Sequence, residues 1–348
     1  MRKTAGFPLI IPIFIPHEGC PHCCVFCNQR RISGFAEKPV TAEDVRKTIQ
    51  TWLTRKRSIQ GDVQVAFYGG SFTGLPKLRQ EELLTAVAPF LERQAVRSVR
   101  LSTRPDYIDS EKVGLLKEHH VYTVELGVQS MNDRVLAAAK RGHAAVDVER
   151  AVPVLRRAGM EIGIQLLLGL PDDSRTTLRQ TVEQVIALRP DFVRIYPLLV
   201  VRNSELADLY THGRYSPISL DKAVILAAWM KQRFDTAGIR VVRMGLQAGP
   251  ELEASLLAGP WHPAFGELVA SRLMLRQTRR LLAQQAPDDS PIRLSINDRD
   301  QSVFRGMKSS NINRLKQLGF WERISLSTNR TQLRHTVRMR WKSTELTF

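Results

Sequence analysis

The sequence predicts an α/β fold, a partial (β/α) barrel that is followed by a small α+β appendage. Short apolar, β-branched runs alternate with amphipathic stretches along most of the chain, which is the pattern of consecutive βαβ units around a parallel sheet. No G-x-G-x-x-G motif opens a helix after the first run, so a dinucleotide-binding sheet is disfavoured. Glycine-rich or polar motifs follow the runs instead, at the strand ends where barrel enzymes place their reactive groups.

Seven apolar runs are predicted to be the strands of the barrel: residues 9–15, 63–68, 96–102, 121–126, 162–168, 192–197 and 239–244. The helices between them are predicted at residues 42–55, 81–93, 145–158, 175–188 and 220–237. The third run fits the pattern least well, because Arg97 and Arg100 interrupt it. Right-handed crossovers between successive strands would make the sheet parallel.

The last part of the chain has a different pattern. A long helix is predicted at residues 265–284 and a turn at 286–291, followed by strands at 292–296, 323–327 and 332–341 and a helix near 310–318. We therefore predict two domains, a core of residues 1–285 and a small basic α+β domain of residues 286–348.

The composition is that of an ordinary globular protein. The chain has 348 residues, of which 43% are hydrophobic and 24% charged, and no apolar run approaches the roughly 18 residues of a membrane span. Arg2 and Lys3 precede the apolar stretch 7–16 in the order of a signal peptide, but three prolines interrupt that stretch. We expect a cytoplasmic protein that is neither secreted nor inserted in a membrane.

The net charge predicts a polyanionic partner. Lys and Arg number 51 and Asp and Glu number 34, a formal charge of +17, and such an excess is typical of nucleic-acid-binding proteins. Residues 301–348 contain ten Lys and Arg against Glu322 and Glu345, with Trp341 beside two of the arginines. Because arginines and aromatic rings together suit phosphates and unpaired bases, we expect RNA to bind this region.

All four cysteines, Cys20, Cys23, Cys24 and Cys27, lie within eight residues. A disulfide framework would distribute its cysteines to connect distant segments, so this cluster indicates thiolate ligands. Two C-x-x-C pairs suit a four-thiolate zinc site, although the adjacent Cys23 and Cys24 strain tetrahedral closure. Without Cys23, the spacing C-x3-C-x2-C gives three thiolates, which suit a 4Fe–4S cluster with one iron open to another ligand. We favour the iron–sulfur interpretation.

Several separate motifs, in order, carry a resemblance to a known family: residues 20–29 (CPHCCVFCNQ), 68–74 (YGGSFTG), 104–108 (RPDYI), 125–130 (ELGVQS), 140–143 (KRGH), 245–247 and 259–269 (GPWHPAFGELV). The chain resembles the radical S-adenosylmethionine (radical SAM) superfamily, and most closely the radical SAM domain of the Elongator catalytic subunit and its bacterial and archaeal relatives. The resemblance covers roughly residues 8–275.

The resemblance implies a partial (β/α)6-type radical SAM barrel and two cofactors, a 4Fe–4S cluster and S-adenosylmethionine. It assigns the cluster to Cys20, Cys24 and Cys27 and leaves Cys23 as a spare thiol. In that superfamily the reduced cluster cleaves S-adenosylmethionine, and a 5′-deoxyadenosyl radical then abstracts hydrogen from a substrate. A low-potential electron donor is therefore an implied partner.

The resemblance also implies residues at S-adenosylmethionine: Gly69, Gly70 and Ser71 by the amino group, Glu125 and Gln129 near the cofactor, Lys140 and Arg141 at the carboxylate or at a substrate anion, and Gly169 and Tyr196 beside the adenine. Each also has a structural interpretation, such as a tight turn for the glycines, a helix cap for Glu125 or Gln129, and a solvated cation for Lys140. Arg104 and Asp106 are equally well explained as a structural ion pair. No residue is assigned a catalytic role of its own.

The sequence departs from the Elongator catalytic subunit after the core. That protein has a C-terminal acetyltransferase domain, whereas the 63 residues from Ala286 onward contain no glycine-rich loop suited to acetyl-CoA. We therefore expect a bacterial relative without acetyltransferase chemistry.

Three functional hypotheses follow from these observations. The first is a radical SAM enzyme, an RNA-modifying transferase, that acts on tRNA. The second is a radical SAM enzyme that acts on an anionic small molecule, as oxygen-independent coproporphyrinogen oxidase does. The third is a non-catalytic RNA-binding iron–sulfur protein, or a zinc protein.

Overall fold

The computed structural model describes residues 8–15, 18–20, 24–28, 39–55, 62–285, 290–341 and 344–347. The chain divides into two compact units, the first made of residues 1–218 and 233–261 and the second of residues 219–232 and 262–348. Within the described part of the chain, no helix combines the length and the apolar character needed to cross a membrane.

The first unit is built on one large parallel sheet. Its strands are, in chain order, β1 (Leu9–Phe14), β2 (Val63–Tyr68), β3 (Ser98–Thr103), β4 (Val121–Gln129), β5 (Glu161–Leu168), β6 (Phe192–Pro197), β7 (Val200–Val201), β8 (Arg240–Met244) and β9 (Leu256–Ala258). Seven of them form the sheet in the order β1-β2-β3-β4-β5-β6-β8, and every neighbouring pair is parallel. The predicted partial barrel of seven parallel strands is confirmed. Strands β7 and β9 form a separate antiparallel ribbon.

Helices connect the strands of the first unit. They are Ala42–Thr54, Lys77–Thr85, Ala88–Glu92, Ser110–Glu118, Asp133–Ala138, Ala145–Arg157, Arg175–Leu188, Glu205–Thr211 and Pro250–Ser255, and Leu220–Thr236 has residues in both units. Caps fix several of the starts: Thr41 Oγ1 accepts a hydrogen bond from the Asp44 amide (3.1 Å), and Asp44 Oδ2 accepts one from the Thr41 amide (2.9 Å).

One predicted helix forms two shorter helices. The stretch predicted as a helix at residues 81–93 is broken at Ala86 and Val87. Pro89 stands in the first turn of the second helix, where the missing N–H costs nothing. Inside a continuous helix the same ring would clash with the carbonyl one turn earlier, so the break follows from the proline.

The second unit is a four-stranded sheet with helices packed on one face. Its strands are β10 (Ile292–Ile296), β11 (Ile324–Thr328), β12 (Val337–Trp341) and β13 (Thr344–Thr347), and its other helices are Phe265–Gln285, Gln301–Arg305 and Ser310–Gln317. The sheet order is β11-β10-β12-β13, with β10 parallel to β11 and the other pairs antiparallel. The buried core includes residues of both layers: Ala270, Met274, Leu281, Leu282, Ile292, Leu294, Ile296, Val337 and Met339.

This core explains why the helix Phe265–Gln285 belongs to the second unit. Its apolar residues recur at helical spacing and pack on the strands that follow it in the chain. The domain boundary predicted from the sequence, between residues 285 and 286, would separate that helix from the sheet that it covers. The predicted domains 1–285 and 286–348 stay a prediction.

Candidate active site

The cysteine segment begins against the glycine loop that follows β2. The Ser71 amide donates a hydrogen bond to the Glu18 carbonyl (3.0 Å). A Cβ atom on Gly70 would collide with that carbonyl, and one on Gly74 would collide with the carbonyl of Gly19. The two backbones therefore touch directly, and only glycine permits this approach. The glycine motif thus fixes the chain immediately before Cys20.

The other end of the cysteine segment is held by the region around β7. The Val25 amide donates to the Ala139 carbonyl (3.2 Å), and the Leu206 amide donates to the Val25 carbonyl (2.7 Å). Asn28 Nδ2 donates to the carbonyl of Arg202 at 2.8 Å. Val25 is almost fully buried in a cluster of apolar side chains. The segment is therefore attached to the barrel both before and after its thiols.

Two cysteines share a cationic environment at the carboxyl end of the sheet. Arg141 Nη1 donates a hydrogen bond to the buried Cys24 Sγ at 3.1 Å. Burial raises the pKa of the Cys20 thiol, Arg141 and Arg104 act to lower it, and the neighbouring Cys24 raises it. Cys27 is half-buried, and its amide donates to the Cys24 carbonyl (2.9 Å). Cys23 lies outside the described residues.

Arg141 is held in place by a second buried arginine. Arg104 forms a bidentate ion pair with Asp106 at 2.9 and 2.8 Å, and its Nη1 donates to the Arg141 carbonyl at 2.6 Å. Arg141 Nη2 donates to the Gly127 carbonyl at 2.6 Å. The Arg104–Asp106 pair is therefore structural, as one of the two sequence interpretations had it, and it positions the guanidinium that faces Cys24.

His143 lies beside these two arginines. Burial is the main cause that lowers its pKa to about 3, and the charges of Arg141 and Arg104 lower it further. Neither ring nitrogen makes a hydrogen bond of normal geometry with the described residues, although the Val128 backbone lies near enough to act in the opposite direction. His143 is therefore neutral at physiological pH.

The interior of the barrel contains a charged network centred on Glu125, which is fully buried. Its Oε1 accepts hydrogen bonds from Tyr68 Oη (3.0 Å), Arg100 Nε (3.1 Å) and Arg194 Nη2 (2.8 Å). Its Oε2 accepts one from Gln165 Nε2 (3.1 Å). Five different strands thus contribute to one buried cluster, in which two guanidinium groups surround a single carboxylate.

The network also fixes the protonation of the tyrosine. Burial, followed by the charge of Glu125, raises the pKa of Tyr68 to about 12, so the phenol stays protonated and donates. Arg194 Nη1 donates to Tyr196 Oη at 3.3 Å. The cluster therefore extends to Tyr196, near the end of β6.

Several residues that the resemblance assigns to S-adenosylmethionine lie at or just after the ends of strands. Gly69 has a positive φ of 97°, and the Ser71 hydroxyl is buried against Thr103 Oγ1 at 3.0 Å. Gln129 ends β4 with a positive φ of 70°. The carbonyl of Gly169, after β5, accepts a hydrogen bond from Tyr215 Oη (2.6 Å). These residues all follow or end strands of the one parallel sheet.

Lys140 differs from Arg141, its neighbour in the sequence. The Lys140 side chain is 58% exposed and forms an ion pair with Glu205 at 2.6 Å, whereas Arg141 is buried at Cys24. Of these two neighbouring cations, Arg141 is the one that faces the cysteines.

Sequence reasoning missed Arg100, Gln165 and Arg194. Their signal was present, because each is a charged or amide side chain inside an otherwise apolar strand. Such a residue interrupts the strand pattern and was read as weakness of the run 96–102. Arg100 is 6% exposed and contacts Glu125 in the barrel interior, so the interruption marks a strand position that faces the interior.

Comparison with known proteins identifies the family. The sequence profile described as the Radical SAM superfamily matches residues 14–185, and that of the Radical_SAM C-terminal domain matches residues 190–274. The chain belongs to the radical SAM superfamily. Members of this superfamily bind a 4Fe–4S cluster and S-adenosylmethionine.

Individual relatives include radical SAM proteins of different kinds. A tRNA uridine(34) acetyltransferase of Methanocaldococcus infernus is 29% identical over 269 residues, which are 66% of this chain and 50% of the relative. The heme chaperone HemW of Lactococcus lactis is 27% identical over 206 residues, 58% of this chain and 53% of that protein. The match thus spans about half the length of these curated relatives.

A solved structure shares the radical SAM fold. The archaeal Methanocaldococcus infernus Elp3 with an N-terminal deletion has a TM-score of 0.60 and 19% sequence identity. The similarity covers 82% of this chain and 70% of that chain. The motif order and the sequence similarity to the tRNA uridine(34) acetyltransferase support an Elongator-like member of the superfamily.

The cysteine segment is compatible with the 4Fe–4S cluster that members of the superfamily bind. In the described part of the chain, no three His, Cys, Asp or Glu side chains are close enough together to hold one ion. A cubane cluster does not require such a group, because each thiolate binds a different iron. Iron binds cysteine in its thiolate form, and the Arg141 guanidinium, whose Nη1 lies 3.1 Å from Cys24 Sγ, would offset the negative charge of such a ligand.

Proposed function

We propose that the protein is a radical SAM enzyme whose cluster is held by Cys20, Cys24 and Cys27, and that it modifies an RNA, specifically a tRNA. The observation that carries the enzyme part is the 3.1 Å hydrogen bond from buried Arg141 to Cys24, at the end of the sheet where barrels carry their active sites. When bound, the two cofactors supply the one-electron chemistry of the superfamily, which yields a 5′-deoxyadenosyl radical.

The chain's own residues would position the cofactors and exclude water. The proposed contacts to S-adenosylmethionine are those of the family motifs: Gly69, Gly70, Ser71, Glu125, Gln129, Lys140, Gly169 and Tyr196. The glycine loop and the region around β7 hold the cysteine segment rigid. We add Arg141 to the proposed site, since it stabilises negative charge on the cluster thiolates.

The RNA substrate is supported by charge and by one relative. The second unit contains 18 Lys and Arg against 8 Asp and Glu, so it carries +10 of the formal +17. A relative is a tRNA uridine(34) acetyltransferase. A polyanion would be attracted to this unit, and its affinity would fall steeply with salt. The proposal includes a low-potential electron donor and a cytoplasmic location.

A small anionic substrate is the second candidate. The two arginines against one carboxylate in the barrel interior leave an excess of positive charge, which favours an anionic group.

Formation of 5′-deoxyadenosine tests the proposed function. The protein is reconstituted with iron and sulfide without oxygen, reduced, and given S-adenosylmethionine with and without bulk tRNA. We expect Cys24→Ala to lose the cluster absorbance and all product, and Cys23→Ala, the matched control in the same segment, to retain both. Stimulation by tRNA supports the RNA substrate, and product that ignores tRNA favours the small molecule. A full cluster without any product would reject the enzyme and leave a binding protein.

A further inference from the structure

The helix Phe265–Gln285 carries an arginine stripe that the C-terminal charge count did not include. Arg272, Arg276, Arg279 and Arg280 are exposed, and their spacing of four, seven and eight residues places them on one face of a helix. The opposite face holds Met274 and Leu281, which are buried in the core of the second unit. The stripe therefore points away from the sheet.

No described residue forms an ion pair with the stripe. No Asp or Glu occurs between Glu267 and the end of the helix. Like charges one helical turn apart destabilise a helix. An anionic partner would remove that cost.

Other arginines of the second unit are already paired. Arg330 contacts Asp298 at 3.1 Å, and Arg334 contacts the fully buried Asp300 at 2.5 Å. Both aspartates precede residue 301, so the +8 charge of the last 48 residues overstates the surface charge there. The charge count of residues 301–348 therefore gives too little weight to the helix Phe265–Gln285, whose four arginines have no described acidic partner.

We propose that the arginine stripe binds the phosphate backbone of the RNA substrate. The stripe spans eight residues, about 12 Å of helix, over which a duplex carries roughly seven phosphates. A membrane surface fits less well, because an interfacial helix needs an exposed apolar face, and the apolar face here is buried in the core. This inference rests on the proposed RNA substrate and specifies its contact surface.

The test removes the four charges of the stripe and compares the result with the removal of four arginine charges elsewhere in the second unit. The variant Arg272→Gln/Arg276→Gln/Arg279→Gln/Arg280→Gln keeps helix propensity, since Gln and Arg are similar, and it removes like-charge repulsion. The control variant is Arg293→Gln/Arg314→Gln/Arg338→Gln/Arg340→Gln, which neutralises exposed arginines on the sheet face and on the helix Ser310–Gln317. Binding of an unmodified tRNA transcript to each full-length protein is measured from 50 to 200 mM salt, after circular dichroism has shown equal helix content.

We expect the stripe variant to lose most of the salt dependence of RNA binding. Four phosphate contacts contribute roughly 3 to the slope of log affinity against log salt concentration. Between 50 and 200 mM salt, the affinity of the stripe variant should therefore fall roughly 50- to 150-fold less than that of the wild type. The control variant should keep the larger part of the slope.

An unchanged slope in the stripe variant, or an equal loss in the control variant, overturns the assignment of the stripe but leaves the RNA substrate in place. A wild-type protein that does not bind tRNA even at 50 mM salt overturns both, while product formation still decides the radical SAM reaction separately. Binding to phosphatidylserine vesicles is measured in the same way. If the stripe variant loses binding to the vesicles but keeps its binding to tRNA, the proposal is wrong and the stripe binds a membrane surface.

Discussion

At the scale of single residues, the site contrasts a buried cation with a buried neutral ring. Arg141 donates hydrogen bonds to Cys24 Sγ and to the Gly127 carbonyl. His143, two residues later, faces that charge and Arg104, so a second positive charge is excluded. The site therefore presents one fixed guanidinium to the thiols, and protonation of the histidine would disturb it.

His143 should make stability depend on pH. Its pKa is about 3 in the folded protein, against 6.5 for an ordinary histidine, so the unfolded chain binds the extra proton as pH falls below about 6.5. Between pH 7 and 5 this linkage costs about 2 kcal/mol of the free energy of unfolding. We expect His143→Gln to remove that part of the loss, as measured by urea denaturation at both pH values. The control His119→Gln should retain the wild-type pH dependence, and equal slopes for His143→Gln and wild type would contradict the argument.

At the scale of elements, the glycine loop after β2 acts as a support for the cysteine segment. Its glycines are required by contact between two backbones, at Gly70 with Glu18 and at Gly74 with Gly19. The same motif was assigned from the resemblance to the cofactor amino group. The structure gives the glycines a second reason to be there, independent of any ligand.

Gly70→Ala should therefore displace the cysteine segment. The added Cβ has no space beside the carbonyls of Ile15 and Glu18, and overpacking of this kind typically costs 1–3 kcal/mol. We expect a lower melting temperature and a reduced iron content after reconstitution. Gly114→Ala is the matched control, since it lies in the helix Ser110–Glu118 with open space around it and should stabilise by up to about 1 kcal/mol. Normal iron content in Gly70→Ala would show that the segment tolerates the shift.

At the scale of the molecule, the buried network around Glu125 connects strands of the whole barrel. Tyr68, Arg100, Gln165 and Arg194 come from β2, β3, β5 and β6 and meet at one carboxylate on β4. A parallel barrel normally fills its interior with branched apolar side chains. Here polar groups occupy the interior, so hydrogen bonds and ion pairs among these groups have to replace apolar packing.

Glu125→Gln should be strongly destabilising. Removing the carboxylate leaves two buried guanidinium groups without their counter-charge, and breaking a buried pair in this way typically costs 3–5 kcal/mol. The free energy of unfolding from guanidinium denaturation should fall by about that amount. Glu149→Gln, on the exposed face of the helix Ala145–Arg157, is the control and should change it by less than about 0.5 kcal/mol. A small effect of Glu125→Gln would indicate that water or a neighbouring group compensates.

The parts of the structure that depend on local pattern were predictable. The seven strands follow from apolar, β-branched runs, and β3 differs from its prediction mainly in beginning at Ser98, after Arg97, which instead pairs with Asp62. The break at Pro89 was missed, although proline geometry explains it. The helix Phe265–Gln285 has an ordinary amphipathic sequence, so its packing on the sheet that follows it was not evident from composition.

The sequence by itself determined the barrel, the order of its strands and the thiol spacing, because hydrophobic periodicity and ligand spacing are local properties. Only the tertiary structure decided which cation faces the thiols, since Arg141 and Cys24 are 117 residues apart and the exposed Lys140 has the same charge. It also decided which arginines are neutralised, because Asp298 and Asp300 meet partners more than 30 residues later. Charge in a sequence can be counted, but its compensation depends on contacts that only the folded chain makes.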